Sequence, residues 1–363
     1  MKKWVEMGLT LSAAALVIVS FLTLDAKLTP ELLPQAQPVE KGGYIKWAEF
    51  DVPDSAMKKA MKLDIESCEE PLHLDWLEML GYLGAKYGGE WKRYKAKDMD
   101  ALVQRLRGGE SMSALTADMK YYDYYHEVYQ TVLGEFVGYY DMERESDVLP
   151  GETFVETQYG LKVFSPIASG YSYSHYDDFG TSRSYGYSRP HLGNDLVGSI
   201  GTPIVAVEGG TIEHMGWNQY GGWRIGILSF DKKRYYYYAH LRQKHPYHLG
   251  LEEGMAVNAG DVIGYLGMTG YSTKEGANNM TVPHLHLGMQ LIFDDSQIEG
   301  NGEIWIDMYD IVSFLSQKKS KTVKDEATKD YNRIYQIYDP DYQDYITAEE
   351  GGASPPGESE AHS

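Results

Sequence analysis

The chain has 363 residues, 43% of them apolar, and 33 Lys and Arg stand against 53 Asp and Glu for a formal net charge of −20. This length and apolar content suffice for one or two packed domains plus accessories, while the acidic balance excludes nucleic acid as a partner, because phosphate binding needs clustered Lys and Arg. The single cysteine, Cys68, excludes an intramolecular disulfide framework.

Residues 1–26 open with Lys2 and Lys3, and Met7 to Leu24 form an uncharged, mostly apolar run. As a helix that run spans roughly 27 Å, close to the hydrocarbon thickness of a bilayer. Leu24 stands where a signal-peptide cleavage site needs a small side chain, so the reading is an uncleaved transmembrane anchor. The two lysines place its N-terminal end in the cytoplasm, which predicts a single-pass membrane protein whose remainder is extracytoplasmic. Residues 27–43, with Pro30, Pro34, Pro38 and Gly42-Gly43, read as an extended linker.

From 44 to 145 the apolar period is helical. Leu72, Trp76, Leu80, Leu83 and Tyr87 make one stripe, stopped by Gly88-Gly89. Met99, Leu102, Val103 and Leu106 make a second, ended by Gly108-Gly109, and Tyr122, Tyr125, Tyr129, Val132, Leu133 and Phe136 make a third. Met57, Ala60 and Met61 mark a further helix after Pro53-Asp54. Such stripes are buried only against each other or against the next domain, which predicts a small helical module. Its paired carboxylates, Asp75 with Glu78 or Glu66 with Glu69 and Glu70, have the residue types of a glycosidase, but at helical spacing they read as solvated faces.

Between 160 and 318 short β-prone runs alternate with glycine-rich turns: Pro203–Val207, Trp223–Phe230, Tyr235–His240, Val262–Leu266 and His284–Phe293. No helical period interrupts them, so the domain is predicted to be an antiparallel β-sheet, closed by a short helix over Trp305–Leu315. The abundance of tyrosine, 31 against nine phenylalanines, suits half-wet grooves that hold polar ligands. Beyond it, 319–363 reads as an acidic, disordered tail, since from Asp339 onward there is no Lys or Arg and a Gly351-Gly352-Ala-Ser-Pro355-Pro356-Gly357 run. Its tyrosines, Tyr331, Tyr335, Tyr338, Tyr342 and Tyr345, offer a possible docking segment for a protein partner. The overall reading is an α+β protein with an N-terminal transmembrane helix, a helical module and an antiparallel β-sheet catalytic domain.

The chemistry falls inside the β domain. His284 and His286 stand two apart in a run alternating with Leu285 and Leu287, so on a strand both imidazoles leave the same face. Upstream, His191-Leu-Gly-Asn-Asp195 follows Pro190 and contains Gly193, which favours a loop entering a strand. His191, Asp195 and one histidine of the His-x-His pair make two imidazoles and a carboxylate, a usual ligand set for a hydrolytic zinc. The other histidine, with His240 of Tyr238-Ala-His-Leu241, is then left for proton transfer. His175, His214, His245, His248 and His362 have no partner at metal spacing and read as surface or core residues.

The order and spacing of these motifs resemble the catalytic domain of lysostaphin-type (LytM-like) zinc endopeptidases of peptidoglycan. The likeness runs through His191–Asp195, Gly201–Gly210, Trp217 with Gly221-Gly222, Tyr238–Leu241, Gly260–Gly264, Thr269–Ser272 and Pro283–His286. It implies His191, Asp195 and His286 as ligands of Zn2+, His240 and His284 as the catalytic pair, and peptidoglycan peptides as the substrate. Two departures accompany it. Leu287-Gly288-Met289 follows where the family usually has an aromatic and an acidic residue, and Lys274 to Thr281 form an insertion expected at the mouth of the cleft, where it alters which peptide fits. The alternative is a membrane-tethered scaffold that keeps the fold and binds a partner protein or wall peptide without cleavage.

Overall fold

The computed structural model describes residues 48–146, 151–185, 187–294, 297 and 302–350, all within one compact unit. The expected anchor and linker lie outside these residues. Among the described residues no helix is long and apolar enough to cross a membrane.

Five helices form the N-terminal layer: α1 Asp54–Ser67, α2 Trp76–Tyr87, α3 Ala96–Arg107, α4 Met112–Thr116 and α5 Tyr122–Leu133. The α2 helix starts where the Asp75 carboxylate accepts hydrogen bonds from the Leu77 and Glu78 amides, and it stops at Gly88, whose φ of 62° lies in the left-handed region. Its buried stripe is Trp76, Leu80, Leu83 and Tyr87. Leu72 does not belong to it: that residue precedes the cap and is 39% exposed.

The helices end at Leu133, not at 145. Val137–Glu145 is strand β1, paired antiparallel with β2 (Thr153–Leu161), and Tyr139 and Tyr159 meet edge to face across the pair at 4.9 Å. The burial of this stretch does not alternate with a period of two, so no local pattern marks it as a strand; its pairing with β2 does.

In the order of the chain the remaining strands are β3 Ser174–His175, β4 Ser182–Tyr185, β5 Tyr187–Pro190, β6 Asn194–Val197, β7 Pro203–Val205, β8 Gly210–Asn218, β9 Gly222–Ser229, β10 Arg234–Ala239, β11 Ala256–Val257, β12 Val262–Tyr265, β13 His284–Leu291 and β14 Ile304–Trp305. The main sheet runs β11-β8-β9-β10-β13-β6-β3, with β14 on β13, and its pairings are antiparallel. Helix α6 (Tyr309–Leu315) follows. The alternation on β10 separates the two faces of the sheet: Tyr236 and Tyr238 are fully buried in the core, while Tyr237 faces a cleft on the other side.

Helical layer and sheet are joined by buried charge. Arg234, with no exposed surface, donates twice to Glu208 at 2.8 Å, to Asp231 at 2.9 Å and to the Thr131 carbonyl of α5 at 2.6 Å. Tyr236 donates to the same Glu208 at 2.6 Å, so the group is internally satisfied.

The segment after 319 corrects the expectation of disorder. Strands β15 (Thr322–Lys324) and β16 (Tyr331–Arg333) pair, β17 (Ile337–Tyr338) adds to the edge of β1, and helix α7 covers Pro340–Glu350. Ile337 is 2% exposed and its carbonyl accepts from Asn258 Nδ2 at 2.7 Å. Lys162 Nζ donates to Asp341 at 2.7 Å, and Tyr342 and Tyr345 pack on Phe230. The acidic composition was a poor guide because the apolar surface and the countercharge come from earlier parts of the chain. Residues from 351 onward lie outside the described residues.

Candidate active site

Register places the site. Across β6 and β13, Asp195 stands opposite His286, and across β13 and β10, His286 stands opposite Ala239. Directly opposed residues share a face, and so do residues two apart, so Asp195, His284, His286 and Tyr237 all project from the side away from the core. Leu196, Leu285, Leu287 and Tyr238 fill the core side, each fully buried. His191 comes from the loop between β5 and β6, whose Gly193 passes so close to the site that a Cβ there would lie 2.7 Å from the His286 ring.

Three donor atoms converge. His191 Nε2 lies 3.0 Å from Asp195 Oδ1 and 2.9 Å from His286 Nδ1, which in turn lies 3.1 Å from Asp195 Oδ1. His191 Nδ1 faces two acceptors, the Asp178 carbonyl at 3.2 Å and the Asp178 carboxylate at 3.3 Å, against the Arg183 guanidinium at 3.2 Å, which favours a proton on Nδ1 and a lone pair on Nε2. Lone pairs held this close repel unless a cation sits among them. Atoms bound tetrahedrally at zinc distances stand about 3.3 Å apart, near the spacing found here. Burial by itself would raise the Asp195 pKa, but the His191 and His286 imidazoles facing it hold it well below the ordinary carboxylate range, so the carboxylate is ionised. His191, Asp195 and His286 form a zinc site.

Two more imidazoles stand beside it. His240 and His284 approach at 4.7 Å between ring centroids, and His284 Nε2 is 3.7 Å from Asp195 Oδ1. His240 Nδ1 donates to the Thr269 carbonyl at 2.7 Å, and His284 Nδ1 to the Val282 carbonyl at 2.8 Å, which leaves Nε2 of each ring with the lone pair. His240 holds a φ of 61°, a left-handed conformation uncommon outside glycine, anchored by its amide on the Gly221 carbonyl at 2.7 Å. Burial first, then repulsion from His284 and His286, keeps the His240 pKa well below the ordinary histidine range.

A cleft of about 490 Å³ opens over these five side chains. The inserted segment forms part of its wall: Met280 and Thr281 line it beside Val282, Asn278 bridges to Thr269, and Met280 donates its amide to the Met268 carbonyl at 3.2 Å. Sequence reasoning missed Asp178, which orients His191, and Arg183, which pairs with Asp178 at 2.5 Å and reaches Asp195 at 3.4 Å. A signal for the arginine was present: Arg183-Ser-Tyr-Gly-Tyr-Ser-Arg189 reads the same in both directions, as expected of a hairpin with two matched arginines.

Residues 189–299 match the model of peptidase family M23. This part of the chain is an M23 peptidase domain. The chain is 39% identical over 124 residues to an L-Ala–D-Glu endopeptidase of Bacillus subtilis, a stretch covering 34% of this chain and 36% of that protein. It is 38% identical over 97 residues to lysostaphin of Staphylococcus simulans, covering 26% of this chain and 17% of that protein. The solved catalytic domain of the antimicrobial peptidase lysostaphin from the same species aligns with 30% identity over 39% of this chain and 92% of that domain, at a TM-score of 0.30. The chain thus spans about a third or less of the length of these curated relatives.

Proposed function

We propose that the protein is a zinc-dependent endopeptidase that hydrolyses peptide bonds in the stem peptides or cross-bridges of bacterial peptidoglycan. The observation that carries this reading is the convergence of His191, Asp195 and His286 within 3.1 Å of one another, beside a second pair of imidazoles, on the floor of one open cleft. The M23 match and the endopeptidase relatives support it. A zinc ion held by the three side chains supplies Lewis acidity toward water and a scissile carbonyl. His240 and His284, each with its Nδ1 proton fixed on a backbone carbonyl, take up a proton at Nε2 and return one to the departing amine. Asp178, through its carbonyl and its carboxylate at Nδ1, keeps His191 in the tautomer that presents Nε2. The cleft walls hold an extended peptide and exclude bulk water.

The charged start and apolar run of residues 1–26 support retention at the cell membrane as a single-pass protein with the M23 domain outside. Incubating the zinc-loaded protein with purified peptidoglycan and identifying released fragments by mass spectrometry tests the activity. New amino termini from peptide bonds are the expected result, and full zinc loading with no release from any wall preparation overturns the reading in favour of a binding scaffold. Protease treatment of intact cells, which is expected to digest the domain, tests the orientation.

A further inference from the structure

Strands β4 and β5 put Arg183 directly opposite Arg189, so both side chains leave the same face of the hairpin. Like charges at such a position destabilise a strand pair unless each has something to neutralise it. Arg183 has Asp178 and Asp195. Arg189 has no carboxylate within ion-pair distance among the described residues, although it lines the same cleft as the zinc ligands. Its guanidinium is held by aromatic faces, 5.0 Å from the Tyr220 ring centroid and 5.5 Å from that of Tyr271, and Nη2 donates to Tyr271 Oη at 3.2 Å. Its Nε is buried and has no hydrogen-bond partner.

We infer that Arg189 is a specificity-determining residue that receives a free carboxylate of the peptide substrate, close to the bond that is cut. A guanidinium whose stem is fixed and whose donors are largely unused in a half-dry cleft is preorganised for a bidentate anion. In a chain of net charge −20, a cation kept clear of acidic neighbours is a local exception that selects for negative charge on the ligand. Position supports the same role. The Tyr271 ring stands between Arg189 and His240, 6.0 Å from the latter, so one tyrosine separates the anchor from the reacting centre. The two separations together bound that gap at about 11.5 Å, no more than about three residues of extended peptide at about 3.4 Å each. Tyr271 is itself braced: its φ is 46°, and the Asn279 side chain of the inserted segment donates to its carbonyl at 2.7 Å. The insertion therefore acts on selectivity through Tyr271.

The inference rests on the cleft being a peptide site, and its test separates the two. Soluble peptidoglycan stem peptides with a free side-chain carboxylate, and the same peptides with that group converted to a carboxamide, are titrated against the zinc-loaded full chain and assayed for cleavage. The carboxylate form is expected to bind about 10- to 100-fold more tightly, the range of a charge-assisted pair. Arg189→Gln is expected to abolish that preference and Arg189→Lys to keep part of it, both with zinc content unchanged as evidence of folding. Equal affinity of the wild type for both forms, or a preference that survives in Arg189→Gln, overturns the inference. Preferential binding without cleavage upholds the arginine's role and overturns the endopeptidase reading. Cleavage of both forms with equal affinity does the reverse.

Discussion

Two buried charge clusters lie on the main sheet, and they are built from similar parts to opposite ends. Around Arg234, one guanidinium meets Glu208, Asp231, the Thr131 carbonyl and, through Glu208, the Tyr236 hydroxyl. Every strong donor there has an acceptor, and nothing further is wanted. Around Asp195, His191 and His286 bring lone pairs to within 3.1 Å of a carboxylate oxygen, so acceptors outnumber donors. A closed cluster fixes the junction between helical layer and sheet, whereas an acceptor-rich one on a cleft recruits a cation. Donor balance, more than burial or charge count, separates structural from functional ionic groups here.

Removing the acceptor excess has the largest expected effect. Asp195→Ala should lose zinc and lower peptide release by roughly 10³-fold, the several kcal/mol attributed to a catalytic metal, measured as zinc per protein alongside fragment yield. His240→Ala should keep zinc and lower turnover by about 10²- to 10⁴-fold. Zinc loss in that variant would move His240 from proton transfer to metal binding. Opening the closed cluster should leave zinc stoichiometry intact but strand two carboxylates. Arg234→Ala is expected to destabilise the fold by about 3–5 kcal/mol in denaturant titrations.

A smaller change sharpens the comparison from within the site. Gly193→Ala places a Cβ 2.7 Å from the His286 ring, and the displaced ligand should weaken zinc binding by about 10- to 100-fold while leaving the Arg234 cluster untouched. The smallest effect concerns Asp307. Burial, then the Asp177 and Asp310 carboxylates, raise its pKa from 3.8 to about 6. Because the folded value lies above the unfolded one, the stabilising contribution is complete below the unfolded value and is lost as pH rises through about 6. Asp307→Asn keeps an oxygen for the Tyr309 amide and should raise stability at pH 8 by about 1 kcal/mol after allowing for solvent screening, with no gain at pH 3.5.

Much of this was legible in the order of residues. Periods of three and four at Trp76, Leu80, Leu83 and Tyr87 require a buried helical stripe, and the alternation of His284 and His286 with two leucines puts both imidazoles on one face of a strand. Such local patterns follow from backbone geometry and need no knowledge of distant segments. The spacing of the His191, His240 and His286 motifs carried the family likeness. Strand β1 and the ordered segment after 319 were not legible, because Ile337, Asp341 and Tyr345 are stabilised by Asn258, Lys162 and Phe230 from far upstream.

What the amino-acid order alone determined was which side chains were available and which face of a helix or strand each would take, since those depend on dihedral periodicity. Only the tertiary structure decided their neighbours: that Asp178 reaches His191, that Arg183 is neutralised while Arg189 is not, and that the insertion supports Tyr271 as part of the cleft. Those outcomes depend on strand register and loop closure between segments tens of residues apart, where a one-residue slip would exchange the core face for the cleft.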